Sequence, residues 1–216
     1  MKPQLTLVLI CVLFPKALTL VCYQCFPDLS GTCTDTQNCP DQCGSQTIVI
    51  STGGVDKEVS GKTCSTAALC VSGSLNLGFL SLSLNSQCCS TDLCNSQKAP
   101  ALSQGSSNGN KCYTCTGDDC TGTVSCLGDE AQCISATATV AGAQRMVKGC
   151  VSRSLCTADI TNLQTVGING SVSCCDGNLC NTAEGDNGTE GINGVEGVKL
   201  SLLIMLVPLI SSILFI

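Results

Sequence analysis

Hydrophobic positions along this 216-residue chain fall into two regimes. Each end carries an unbroken apolar run, and between them apolar residues come in short alternating stretches. The first run spans Leu5 to Phe14, follows Lys2 and is broken by Pro15. It is about ten residues long, where a membrane-crossing helix needs roughly 20. With small residues Ala17 and Thr19 three and one positions before a cut, residues 1–19 are predicted to be a secretory signal that removes Cys11. The last run, "VKLSLLIMLVPLISSILFI" (198–216), is apolar after Lys199 and has no basic residue behind it. A polar, Gly-rich stretch, "EGDNGTEGINGVEG" (184–197), precedes it. Small residues, a spacer of about 8–12 residues and an apolar tail form the pattern of glycosylphosphatidylinositol (GPI) attachment. Attachment at Asn187 leaves the spacer 190–199, and Asp186 or Gly188 serves nearly as well. Residues 182–197 are thus expected to be a spacer bearing the attachment site, and 198–216 a removed signal. The alternative is a single-pass helix.

The stretches between the ends are strand-like. "QTIVIS" (46–51) and "KEVSGKTC" (57–64) flank Gly53-Gly54, a hairpin signal. "CISATATVA" (133–141) alternates, Gly142 turns, and "QRMVKGC" returns. In "LNLGFLSLSLNSQ" (75–87) the leucine alternation slips phase between Phe79 and Leu80, which predicts a bulge or a turn near Gly78. "LQTVGINGSVS" (163–173) is the matching stretch further on. No segment between the end runs keeps a helical period, so the predicted class is all-β.

Composition changes the picture next. Cysteine supplies 21 of the 216 residues, the level at which a disulfide scaffold is the default reading. Aromatic residues make up only 3%, so an apolar core is small and covalent bridges must supply stability. The 20 cysteines left after Cys11 fall into two sets of ten. Residues between successive cysteines number 2, 7, 5, 3, 20, 5, 17, 0, 4 in the first set and 2, 4, 5, 6, 16, 5, 17, 0, 4 in the second. Both sets open alike, "CYQC" at 22–25 and "CYTC" at 112–115, and close alike, "CCSTDLCN" at 88–95 and "CCDGNLCN" at 174–181. Two tandem domains follow, 20–95 and 112–181. The segment 96–111, "SQKAPALSQGSSNGNK", is expected to be a linker, flexible over its Ser/Gly-rich part.

Spacing alone leaves roughly 945 pairings for ten cysteines. Adjacent Cys88 and Cys89 lie about 3.8 Å apart at Cα, below the usual disulfide span, so they should not pair with each other. On a strand they point to opposite faces, so one can close a short loop while the other reaches across. Cys174 and Cys175 repeat this.

The opening C-Y-x-C, the ten-cysteine order and the closing C-C-x-x-x-L-C-N resemble the lymphocyte-antigen/urokinase-receptor (LU) domain family. Signal and tail resemble that family's processing. The resemblance implies two three-finger domains, β-hairpins radiating from a disulfide knot. It implies Cys22–Cys43, Cys25–Cys33, Cys39–Cys64, Cys70–Cys88 and Cys89–Cys94 in the first. In the second it implies Cys112–Cys133, Cys115–Cys120, Cys126–Cys150, Cys156–Cys174 and Cys175–Cys180. It also gives Asn95 and Asn181 hydrogen bonds to backbone inside the knot. Tyr23 and Tyr113 are expected to pack beside it.

Several functions are set aside on chemistry. The chain has no histidine, no G-x-S-x-G and no carboxylate pair standing apart from ordinary solvated charge, so it is expected not to be an enzyme. Zinc-ribbon and redox readings of C-x-x-C conflict with an oxidising compartment and with the missing βαβ context, so no metal or cofactor is expected. Residues 20–187 carry seven Lys and Arg against 14 Asp and Glu, which opposes nucleic-acid binding. Rigid loops remain, and binding residues concentrate there. The expected function is a GPI-anchored cell-surface binding protein with an extracellular protein ligand. The alternative is a soluble secreted inhibitor resembling the gamma-type phospholipase A2 inhibitors, which the apolar tail disfavours. Candidate contacts are the tips at Gly53-Gly54-Val55-Asp56, Gly142-Ala143-Gln144-Arg145 and Val166-Gly167-Ile168, with Leu77, Phe79 and Leu80 foremost. Those leucines could equally cover a contact between the domains. Asn169 is a glycosylation acceptor in a predicted fingertip, whereas the sequon at Asn187 competes with lipid attachment.

Overall fold

The computed structural model describes residues 19–25, 33–140, 143–157 and 172–182. Residues 1–18, within the expected signal, residues 141–142, where a fingertip is expected, the stretch containing Val166 to Asn169 and everything from 183 on, including Asp186, Asn187 and Gly188, lie outside the described residues. Within them the chain is built almost wholly of antiparallel strands.

The first unit makes three hairpins. β1 (Leu20–Tyr23) pairs with β2 (Thr36–Cys39), β3 (Gln42–Thr52) with β4 (Val55–Ser65), and β5 (Gly73–Asn76) with β6 (Leu80–Cys89). In the second unit β7 (Ser107–Thr116) pairs with β8 (Asp119–Leu127), and β9 (Gln132–Val140) with β10 (Ala143–Val151). A five-residue helix, α1 (Arg153–Thr157), follows. Then β11 (Val172–Asp176) lies on β9 as β6 lies on β3.

The β3–β4 loop is two residues, Gly53 and Gly54, with φ of +58° and +80°. Two positive φ values give the turn whose twist matches paired strands, and glycine takes them without steric cost. The phase slip in 75–87 is a turn, not a bulge. Gly78 stands at φ +84°, its N–H donates to Asn76 Oδ1 at 3.0 Å, and Leu77 N–H donates to the Leu80 carbonyl at 2.8 Å.

Strand alternation then gives the central sheet two unlike faces. Ile48 stands opposite Leu84 and Ile50 opposite Leu82, and these pack with Val71, Leu80 and Leu155. The other face is polar: Ser45, Thr47, Ser83 and Asn85, all buried. The segment after the clasp covers it. Carbonyls of Gln97, Ala99, Pro100 and Leu102 accept from Ser45 Oγ (2.7 Å), Thr47 Oγ1 (2.5 Å), Asn85 Nδ2 (2.8 Å) and Ser83 Oγ (3.5 Å). So residues 97–102, expected to be part of a linker, are held along the first unit, because a row of donors meets an extended backbone with free carbonyls. The second unit's first strand starts at Ser107 rather than 112.

The two units share one sheet. Seven strands run in the order β11-β9-β10-β5-β6-β3-β4, with β5 of the first unit on β10 of the second. Leu75 faces Val151 and Asn76 faces Cys150. Beyond this ladder Ser152 N–H donates to the Ser74 carbonyl (2.9 Å), Ser74 N–H to Ser152 Oγ (2.8 Å), and Ser154 Oγ to the Ser72 carbonyl (2.6 Å). Two glycines permit the approach. A Cβ on Gly149 would stand 2.1 Å from the Asn76 carbonyl oxygen, and one on Gly73 would meet Ser154 Oγ at 2.8 Å and Ser152 Cβ at 2.9 Å.

Candidate functional site

The functional surface is whatever the knots hold outward, so the knots come first. Ten disulfides join Cys22–Cys43, Cys25–Cys33, Cys39–Cys64, Cys70–Cys88 and Cys89–Cys94, then Cys112–Cys133, Cys115–Cys120, Cys126–Cys150, Cys156–Cys174 and Cys175–Cys180. These are the pairs that the family resemblance implies. Each vicinal pair divides as strand geometry requires: Cys89 closes the short loop and Cys88 reaches across to Cys70. Cys22, Cys39 and Cys43 are wholly buried, as are Cys126 and Cys150. The sulfurs of Cys112, Cys126 and Cys150 gather within 4.8 Å, a spacing that suits a metal. All three are already bonded in disulfides, so none has a thiolate to offer.

The closing asparagines bind the knot from inside. Asn95 Oδ1 accepts from Tyr23 N–H at 3.0 Å, and its Nδ2 donates to the carbonyls of Tyr23 (3.0 Å) and Gly44 (3.1 Å). Asn181 repeats the pattern with Tyr113 N–H (2.9 Å), Tyr113 carbonyl (3.0 Å) and Ile134 carbonyl (2.9 Å). Only a side chain with both a carbonyl and an amide group can do this, which explains asparagine at both positions. Tyr23 and Tyr113 stay half-buried: backbone, not the rings, enters the knot, and Lys62 Nζ lies 5.4 Å from the Tyr23 ring centre.

Sequence reasoning missed the rest of the clasp. Leu93 and Leu179 both have φ of +55°, rare for a branched side chain. Their amides donate to the Val21 (2.6 Å) and Lys111 (2.8 Å) carbonyls. Beside them Asp92 Oδ1 accepts from Val21 N–H (2.8 Å), and Asn178 Oδ1 from Lys111 N–H (2.7 Å). The shared feature in sequence was an acidic or amide residue before the Leu of each closing motif.

At the fingertips, register gathers residues far apart in sequence. Thr52 pairs with Val55 on one side and Leu80 on the other. At about 4.8 Å per strand, Val55 and Leu80 end two neighbouring fingers about 10 Å apart, with Phe79 next in line. Val55 is 72% exposed and Phe79 51%. Leu80 is half-buried against the apolar face of the sheet. Leu77 departs from the expectation of a ligand contact. It is buried, and its carbonyl accepts from Thr114 Oγ1 in the second unit, so it serves the seam between units. In the second unit Arg145 forms an ion pair with Asp118 at the β7–β8 turn, and neighbouring Met146 is exposed. Among the described residues no helix is long and apolar enough to cross a membrane.

Two knots of five bridges, each releasing antiparallel hairpins and closed by the same clasp, define a pair of three-finger domains. Comparison with known proteins agrees: residues 18–97 match the model of the u-PAR/Ly-6 domain, and 111–181 that of snake toxin and toxin-like proteins. The two units are thus LU, three-finger domains, and the chain is urokinase-receptor-like. It is similar to the urokinase plasminogen activator surface receptors of Aotus trivirgatus (31% identity over 109 residues) and Mus musculus (30% over 109). It also resembles that of Rattus norvegicus (29% over 109). These alignments take in 46% of this chain and about a third of each relative, 32–33%.

Proposed function

We propose that this chain is a non-catalytic, cell-surface binding protein. It is held to the outer leaflet by a GPI anchor at Asn187 or its neighbours Asp186 and Gly188, and it engages an extracellular protein ligand with the fingertips of its first unit. The observation that carries the reading is the exposed apolar row of Val55 and Phe79, set on hairpins that five bridges make rigid. Large exposed apolar side chains on a preorganised scaffold mark an interaction site, because little ordering entropy is lost on binding. The similarity to surface receptors and the spacer-plus-tail pattern support the location. The lack of histidine in the sequence supports a binding role over catalysis.

The anchor and the binding surface are tested separately. Phosphatidylinositol-specific phospholipase C applied to expressing cells should release the protein, and retention on the membrane rejects the anchor. The released protein should cross-link to a partner on intact cells. Val55→Asp with Phe79→Ser should abolish that cross-linking while leaving circular dichroism unchanged. Cross-linking that survives this pair of changes rejects the tip as the contact.

A further inference from the structure

The β8–β9 turn holds a carboxyl group that has no ion-pair partner among the described residues. Glu130 is 2% exposed. Its Oε2 accepts from the Leu127 N–H at 2.8 Å and its N–H donates to the Leu127 carbonyl at 2.9 Å, which closes the turn. Asn108 Nδ2, from β7, donates to its carbonyl at 3.1 Å. Two of its neighbours come from the other unit. Ser74 and Asn76 of β5 face the carboxyl, Ser74 Oγ reaches Asp129 Oδ1 at 3.4 Å, and Asn76 Nδ2 reaches the Ser125 carbonyl at 3.4 Å. Neither β5 residue ionises. Of the groups acting on Glu130 among the described residues, Asp129 is the charged one, and it carries the same sign.

Glu130 therefore sits where the first unit docks on the second, and undocking would return it to water. A buried carboxylate without a counter-charge is costly, and the neutral acid is not. We propose that docking of the first unit's third finger on the second unit is proton-linked through Glu130, tighter when this carboxyl is protonated and looser when it is ionised.

The direction follows from the surroundings. Burial pushes the Glu130 carboxyl above its ordinary range, and Asp129 adds to that. The Leu127 N–H, Ser74 and Asn76 pull the other way with smaller effect. The docked state then holds the proton more tightly than the undocked one. Docking has its full strength below the ordinary carboxylate range and weakens as pH rises through the raised value.

Amide hydrogen exchange on the intact, disulfide-bonded protein tests this between pH 4 and 8, with rates corrected for intrinsic chemistry. The amides of Ser74 and Ser152 report the seam, and that of Ile134 in β9 reports the second unit's own fold. Protection at Ser74 and Ser152 should fall severalfold with rising pH while Ile134 stays constant. In Glu130→Gln the seam should stay protected across the range. In Asp129→Asn the fall should persist with its midpoint moved to lower pH. Seam protection that does not change with pH in the wild type overturns the proposal. So does an undiminished pH response in Glu130→Gln, or a response confined to the Leu127 amide of the local turn.

Discussion

Replacing Gly149 by alanine is the sharpest probe of how the two units are joined. The new Cβ would sit 2.1 Å from the Asn76 carbonyl oxygen, where ordinary contact begins at 3.4 Å. The obstacle is backbone on both sides, so no side chain can swing away, and β5 must retreat by about 1.3 Å. The bond from Ser152 N–H to the Ser74 carbonyl, now 2.9 Å, would stretch to about 4.2 Å and cease to be a hydrogen bond. The bonds from Ser74 N–H to Ser152 Oγ, Ser154 Oγ to the Ser72 carbonyl and Thr114 Oγ1 to the Leu77 carbonyl share that approach. At about 1 kcal/mol net each, their loss is about 4 kcal/mol, roughly a thousandfold in the docking equilibrium. The bridges lie within units and none spans the seam, so each unit should stay folded. Amide exchange reads this directly: protection at Ser152 should collapse in Gly149→Ala, while Ile48 and Ile134 keep theirs. Wild-type protection at Ser152 in that variant would refute the reasoning. Gly53→Ala is the control, since its Cβ meets nothing within 4 Å and only the positive φ is strained, at roughly 1–2 kcal/mol.

Three further outcomes follow from named contacts. Asn95→Ala leaves Tyr23 N–H and the Tyr23 and Gly44 carbonyls without their partner, and should lower first-unit stability by about 3 kcal/mol or more in guanidinium unfolding. Asn181→Ala should do the same to the second unit. Leu93→Gly relieves the cost of a positive φ, about 1–2 kcal/mol, at a side chain already 39% exposed, so the unfolding midpoint should hold or rise. Asp119 Oδ1 accepts from the Oγ1 (2.7 Å) and N–H (3.0 Å) of Thr121, first the hydroxyl and then the amide holding its carboxyl below the ordinary range. That turn's support is therefore present above the ordinary range and lost as pH falls through the lowered value. The Thr121 amide shift in NMR should titrate with that depressed midpoint, and Asp119→Asn should remove it.

Cysteine spacing, the paired openings and the paired closing motifs made the two units legible without coordinates, and their resemblance to the LU family implied the three-finger fold. The order of the cysteines is legible because it recurs along the chain, whereas their pairing is not: spacing leaves roughly 945 choices, and the family resemblance implied the set. The hairpin at Gly53-Gly54 was legible for a local reason: two adjacent positive φ values call for glycine. Phe79 was legible as an apolar residue at a turn. Leu77, two positions earlier and equally apolar, was not separable from it, because the difference lies in Thr114 of the other unit.

What the sequence determined alone is the scaffold: all-β class and two ten-cysteine units, with the order of fingers and the knot-closing role of Asn95 and Asn181 implied by the family resemblance. The class and the two units follow from local backbone demands and from a cysteine order that recurs in both units, with six of the nine spacings identical. Tertiary structure alone decided that the segment 97–102 lies along a polar sheet face, that Gly149 and Gly73 let β5 join β10, and that Leu77 turns inward while Val55 and Phe79 stay out. It also placed Glu130 under the first unit's third finger. Each of these depends on which strands become neighbours across the two units. That is set by steric fit and hydrogen-bond partners far apart in the chain, and no local pattern records it.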